Sequence, residues 1–203
     1  MAKRDLKTEL RPLYFPSAKA PVLVDVPRLT FLMTDGAGDP TTGKMFQQAL
    51  NALYGLAYTL KFALKKRGID FTVMPLEALW WNESSERFDM NRRGNWLWTA
   101  MVAVPGELRQ PDLRSAAKQA SAKKPEVDYA AVRLEPWKEG RCAQILHIGP
   151  YAAEKPTIER LHAFIEGEGY RPRGKHHEIY LGDPRRTAPE RLKTVIRQPV
   201  ERR

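Results

Sequence analysis

The chain has 203 residues, 42% hydrophobic and 29% charged, with a formal net charge of +10, which is enough for one large domain or two packed halves, and no run of about eighteen apolar residues exists to cross a membrane. Its one cysteine, Cys142, excludes an intrachain disulfide and argues against a cysteine-based metal site, reading instead as a half-buried thiol. Basic residues are scattered apart from Lys65–Arg67, Arg185–Arg186 and Arg202–Arg203, so the charge describes a solvated surface rather than a nucleic-acid interface. The N-terminus carries charge with no apolar stretch behind it, unlike a secretory signal, and the expected location is the cytoplasm.

Residues 1–27 mix Lys, Arg and Pro with a few apolar residues and read as an extended arm, with a short strand near Pro21–Asp25. The domain proper is expected over 28–203. Leu29–Thr34 is a strand, and Asp35–Pro40 is a turn rich in residues that tolerate positive φ. From Gly43 to Arg67, Phe46, Ala49, Leu50, Leu53, Leu56, Ala57, Leu60 and Leu64 recur at helical spacing, and Gly68 stands where a helix-ending glycine belongs. Ile69–Trp81 follows as a strand in which Pro75 marks a bulge or an edge. The polar stretch Asn82–Gly94 is a loop, and Asn95–Val104 a further strand.

Pro111–Asp112 opens a helix on which Leu113, Ala116, Ala117 and Ala120 align. Tyr129–Leu134 is a strand, Glu139-Gly140 a turn, and Arg141–Gly149 another strand. A second long helix begins near Pro156, a good first helical position, carries Ile158, Leu161, His162 and Ile165 inward, and stops at Gly167–Gly169. A strand over Gly174–Pro184 and a last one over Arg191–Val200 complete the chain. Two stretches thus share one grammar of strand, glycine-containing turn, helix, strand, strand: about residues 28–104 and about 141–200, joined by a connecting helix and strand over about 105–140. The expected architecture is α+β, two such modules about a pseudo-twofold axis with a concave cleft between them.

The chemistry concentrates in Gly174–Pro184. Alternation puts His176, Glu178 and Tyr180 on one face and His177, Ile179 and Leu181 on the other. A carboxylate between an imidazole and a phenol, bounded by Gly174 and by Gly182-Asp183-Pro184, is expected to look into a pocket, where apolar walls would raise its pKa. Trp80, Trp81, Trp96 and Trp98 fall in two neighbouring strands of the first module; each reads either as core filler or as a wall of that pocket. An aromatic cavity around a carboxylate suits flat, hydrophobic and often cationic organic molecules. His147, just before Gly149-Pro150-Tyr151, reads as a structural histidine bonded to a backbone carbonyl. His176, His177 and Glu178 are consecutive on a strand and point to opposite faces, so they do not make a metal site, and no cofactor motif or serine elbow is present.

Pro75–Trp81, Trp96-x-Trp98, His147–Tyr151, His176–Leu181 and Asp183–Thr194 together resemble the GyrI-like small-molecule-binding family, from about residue 20 to the end. The resemblance implies a duplicated strand–helix–strand–strand (SHS2-type) fold with a ligand cleft between the repeats. Family members include effector-binding domains of multidrug-responsive transcription activators and a gyrase-inhibiting protein; with no helix-turn-helix before its first repeat, this chain most resembles the stand-alone subgroup linked to hydrolysis of cyclopropane-bearing alkylators. By motif, the pocket glutamate of that subgroup carries over to Glu178, as the base for water. Tyr151 or Tyr180 would donate to the oxygen on which charge develops, and Trp80, Trp81, Trp96, Trp98, His147 and His176 would line the ligand. The alternative is a binding protein that sequesters hydrophobic or cationic drugs without turnover, or a protein-interaction module of the gyrase-inhibitor type.

Overall fold

The computed structural model describes residues 3–82 and 95–203. Among these residues, seven strands carry the fold: β1 (Val22–Ala37), β2 (Leu76–Asn82), β3 (Trp96–Val104), β4 (Arg133–Ile148), β5 (Tyr170–Pro172), β6 (His176–Tyr180) and β7 (Lys193–Arg202). All pairings among them are antiparallel, in the order β4-β1-β3-β2-β6-β7-β5, and β4 also pairs with β7. That last pairing closes six strands into a barrel, with β5 added to the outer end of β7. Closure depends on the length of β4: Arg133–Gln144 pair with β1, while Cys142–Ile148 pair with β7.

Among the described residues, five α-helices accompany the barrel: α1 (Leu6–Glu9), α2 (Arg11–Tyr14), α3 (Lys44–Lys65), α4 (Gln110–Lys123) and α5 (Lys155–Gly167). The apolar stripe read from the sequence is the buried face of α3, through Ala49, Leu53, Leu56, Ala57, Leu60 and Leu64. This helix lies over β1 and β3 and α5 over β4, β5 and β7. A smaller core forms under α5 from Ala143, Ile145, Leu161, Ile165 and Ile196. On α5, Leu161 and Ile165 are buried, whereas Ile158 and His162 are only half-buried.

Several expectations change. The first residues do not form an extended arm: two single-turn helices bury Leu6, Leu13 and Tyr14, because their apolar side chains have a barrel end to cover. The strand expected from Ile69 begins only at Leu76, since Pro75 cannot donate to a ladder. The strand expected at Tyr129 begins at Arg133, after a turn in which Val132 N–H donates to the Tyr129 carbonyl. Glu139-Gly140 is not a turn: β4 continues through it in register with β1, Gly140 adopting a φ of 80° beside a partner strand that carries Pro27. The loop expected over Asn82–Gly94 lies, beyond Asn82, outside the described residues.

Candidate functional site

β6 separates two polar clusters by simple alternation. His177 points into the barrel, where Nδ1 lies 3.0 Å from Glu139 Oε1 and Nε2 lies 3.1 Å from Glu77 Oε2. Arg197 on β7 donates to Glu139, to Gln144 and to the Leu13 carbonyl, while Tyr14 donates to Glu77. Side chains from β2, β4, β6 and β7 meet in this way only inside the barrel. Burial alone would disfavour a charged His177, but the Glu139 carboxylate outweighs it and raises the imidazole's pKa. Burial likewise opposes the charge of Glu139, and His177 and Arg197 overcome it and hold the carboxyl low.

The other face of β6 carries the row read from the sequence. His176 Nε2 donates to Glu178 Oε1 at 3.0 Å and the Tyr180 hydroxyl donates to Glu178 Oε2 at 2.6 Å. Trp80, across the β2–β6 pairing, donates its indole N–H to the Tyr180 oxygen at 3.1 Å. Trp80 stands 5.3 Å from Trp96 and 5.6 Å from Phe46 of α3, and Tyr151 meets Tyr180 edge-on at 5.5 Å. These contacts bring Glu178, His176, Tyr180, Tyr151, Trp80 and Trp96 into one cluster.

Trp98, Trp81 and His147 stand differently. Trp98 is fully buried, edge-on to Phe46 at 5.0 Å and laid over Gly36, where an added Cβ would fall 2.2 Å from the indole. Trp81, one residue beyond Trp80, points the opposite way and receives the Lys175 ammonium 3.2 Å from its ring centroid. It lines an open concavity of about 550 Å³ with Asp35, Leu97, Thr99 and Arg133. His147 Nδ1 lies 2.9 Å from the Thr157 hydroxyl and Nε2 3.3 Å from the Pro150 carbonyl. Burial lowers its pKa, as suits a neutral ring holding the start of α5. Among the described residues, no group of three or more His, Cys, Asp or Glu is placed to hold a metal ion.

Sequence reasoning missed Glu154. It is the residue before α5, its side chain caps nothing, and it is buried beside Glu178 and Thr194. Burial, then the neighbouring Glu178 charge, push its pKa up to about 10. The expectation for Glu178 is reversed: burial opposes its charge, but the bonds from His176, then Tyr180 and Glu154, prevail and hold it low. The two carboxyls together keep one proton, on Glu154. Desolvation raises the acid with the poorer donors, and Glu178 has the better ones. A glutamate just before a helix normally reads as a solvated first-turn acid, so only its proximity to Pro156, which fixes where α5 starts, could have placed it.

The family model of the GyrI-like small molecule binding domain matches residues 19–201. The chain belongs to this family. Among solved structures, an uncharacterized conserved protein from Listeria innocua superposes on this GyrI-like chain with a TM-score of 0.92 and 41% identity, covering 98% of this chain and 100% of that one. A structure described as a hydrolase from Listeria innocua gives a TM-score of 0.87 and 39% identity over 98% of this chain and 100% of that one. The EcmrR C-terminal domain shares the fold alone, with a TM-score of 0.54 and 12% identity over 90% of this chain and 98% of that one. No curated protein matches the chain.

Proposed function

We propose that this GyrI-like protein binds flat, hydrophobic aromatic molecules against Trp80 and Trp96 and hydrolyses those that carry a strained, electrophilic cyclopropane, with Glu178 as the base for water. The observation that carries the proposal is an ionised carboxylate buried among aromatic rings, its two oxygens oriented by His176 and Tyr180. A carboxylate so held has lone pairs left for a water, and its orientation costs nothing at the moment of reaction. Hydrolysis is favoured over passive sequestration by the 39% identical neighbour described as a hydrolase.

In a cyclopropane conjugated to a dienone, water attacks the methylene carbon as the ring bond breaks. The water's proton passes to Glu178, and negative charge collects on the distant oxygen. The Tyr180 proton is already committed to Glu178, which leaves Tyr151 as the donor to that oxygen. The domain behind this site is read as residues 28–203, with repeats over about 28–104 and about 141–200 and a cleft between them. The strand order supports a duplication: exchanging β1, β2 and β3 for β4, β6 and β7 maps the closed order of the barrel onto itself.

Incubation with a cyclopropane–dienone alkylator, followed by mass spectrometry, tests the activity. Catalytic gain of one water is the expected result. Tight binding without any gain would leave a sequestering protein.

A further inference from the structure

Opening a cyclopropane–dienone leaves one feature of the site unused. Charge in that reaction moves to an oxygen several bonds from the attacked carbon, so an acid beside the base has nothing to protonate. Glu154 is nevertheless such an acid. At a helix start, a glutamate ordinarily accepts from the free N–H groups; this one makes no capping bond and turns to the sheet, 1% exposed. The Thr194 hydroxyl is near enough to ease its ionisation, yet Glu154 Oε1 and Thr194 Oγ1 each lie buried without a hydrogen bond of acceptable geometry. Buried polar atoms left in this way are rare, and two of them adjoin the proposed base.

We propose that Glu154 and Glu178 act as an acid–base pair that adds water to the carbonyl of aromatic carboxylic esters, a second substrate class for the same site. The inference rests on the reading of Glu178 as base. Two neighbouring carboxyls with one proton fit carbonyl addition because the attacking oxygen and the carbonyl oxygen end on the same carbon, so base and acid must reach them from adjacent positions.

The steps balance without an external reagent. The water oxygen bonds to the carbonyl carbon as the C=O π bond opens. The water's proton goes to Glu178, and the Glu154 proton, released from its bond to Glu178 as Glu178 is protonated, goes to the former carbonyl oxygen, giving a neutral tetrahedral intermediate. On collapse the C–O bond to the alcohol breaks. Glu178 protonates the departing alkoxide, and one hydroxyl of the intermediate returns a proton to Glu154. The products are an acid and an alcohol, with both carboxyls in their starting states. Burial beside an anion supplies the protonated form of Glu154 that this requires at neutral pH.

The test uses 2-naphthyl acetate, read by 2-naphthol release and by oxygen-18 incorporation into acetate from labelled water, beside the cyclopropane–dienone. The expected result is ester turnover by the wild type, reduced roughly 10²-fold or more in Glu154→Gln. Unchanged quenching of tryptophan fluorescence by 2-naphthol establishes that the variant still forms the site; if quenching is lost, Glu154→Asp, which keeps an acid, is expected to restore part of the ester rate. Ester turnover unaffected by Glu154→Gln, or absent from both Glu154→Asp and a misfolded Gln variant, overturns the role of Glu154. No ester turnover with the cyclopropane still opened overturns this inference and leaves the proposed function standing. Turnover of neither substrate removes both.

Discussion

Glu154 and Glu178 share one small buried volume, and the consequence extends to stability. The folded pKa of Glu154, about 10, lies above its ordinary 4.5, so the folded protein keeps a proton that the unfolded chain releases. Stability from this group is therefore fully present below pH 4.5 and is lost progressively as pH rises toward 10. Glu154→Gln, which removes that titration, is expected to be more stable than the wild type at pH 8–9, by at least about 1.4 kcal/mol, the free energy of one pKa unit. Urea melts of both proteins across that range check the difference. Equal stabilities at every pH would mean that Glu154 ionises normally. A site that costs stability in this manner is what a functional carboxyl pair would produce.

At the scale of the element, β6 was legible because strand alternation is geometric. Knowing that His176–Tyr180 is a strand suffices to put His176, Glu178 and Tyr180 together and His177 opposite them. The same rule should have divided Trp80 from Trp81, which point to opposite sides of β2 and meet Tyr180 and Lys175 respectively. Gly140 reads as a turn because glycine is usually one, whereas in β4 it takes a positive φ within an unbroken pairing. Gly36 has a requirement of a different kind, since the Trp98 indole occupies the space that a side chain would need. Gly36→Ala forces that ring off its contact with Phe46 and is expected to cost about 1–3 kcal/mol, as overpacking does. Chemical denaturation with tryptophan emission as the probe would register both the loss and the displaced indole.

At the scale of the whole molecule, the barrel and its interior were not legible. The β2–β6 pairing joins residues about 100 apart and the β4–β7 pairing residues about 50 apart, and no local pattern encodes non-local register. The network of Glu77, Glu139, His177 and Arg197 depends on that closure, and Tyr14 and the Leu13 carbonyl tie the N-terminal helices to it. Removing one member leaves buried charge without a partner, so Arg197→Met is expected to destabilise the protein by about 3–5 kcal/mol. The pH dependence has a defined sign. His177, raised above 6.5, contributes stability fully below that pH and loses it as pH rises through the folded value. Glu139, lowered from 4.5, contributes above that pH and loses it as pH falls through the folded value. Both contributions are present between pH 4.5 and 6.5; above that window the loss from His177 adds to the loss from Glu154, so His177→Gln should make the fall in thermal stability with pH shallower while the Glu154 part remains.

Under the proposed function, the buried Glu178 carboxylate performs chemistry rather than merely attracting a ligand. Glu178→Gln keeps the size of the side chain and an oxygen that can still accept from His176 or Tyr180, but removes the base. The most direct measurement is therefore turnover of the cyclopropane–dienone by this variant, beside its affinity for the ring-opened product by tryptophan quenching. Turnover reduced roughly 10²–10⁴-fold with affinity within a few fold of wild type is the predicted result. Wild-type turnover in Glu178→Gln would contradict it.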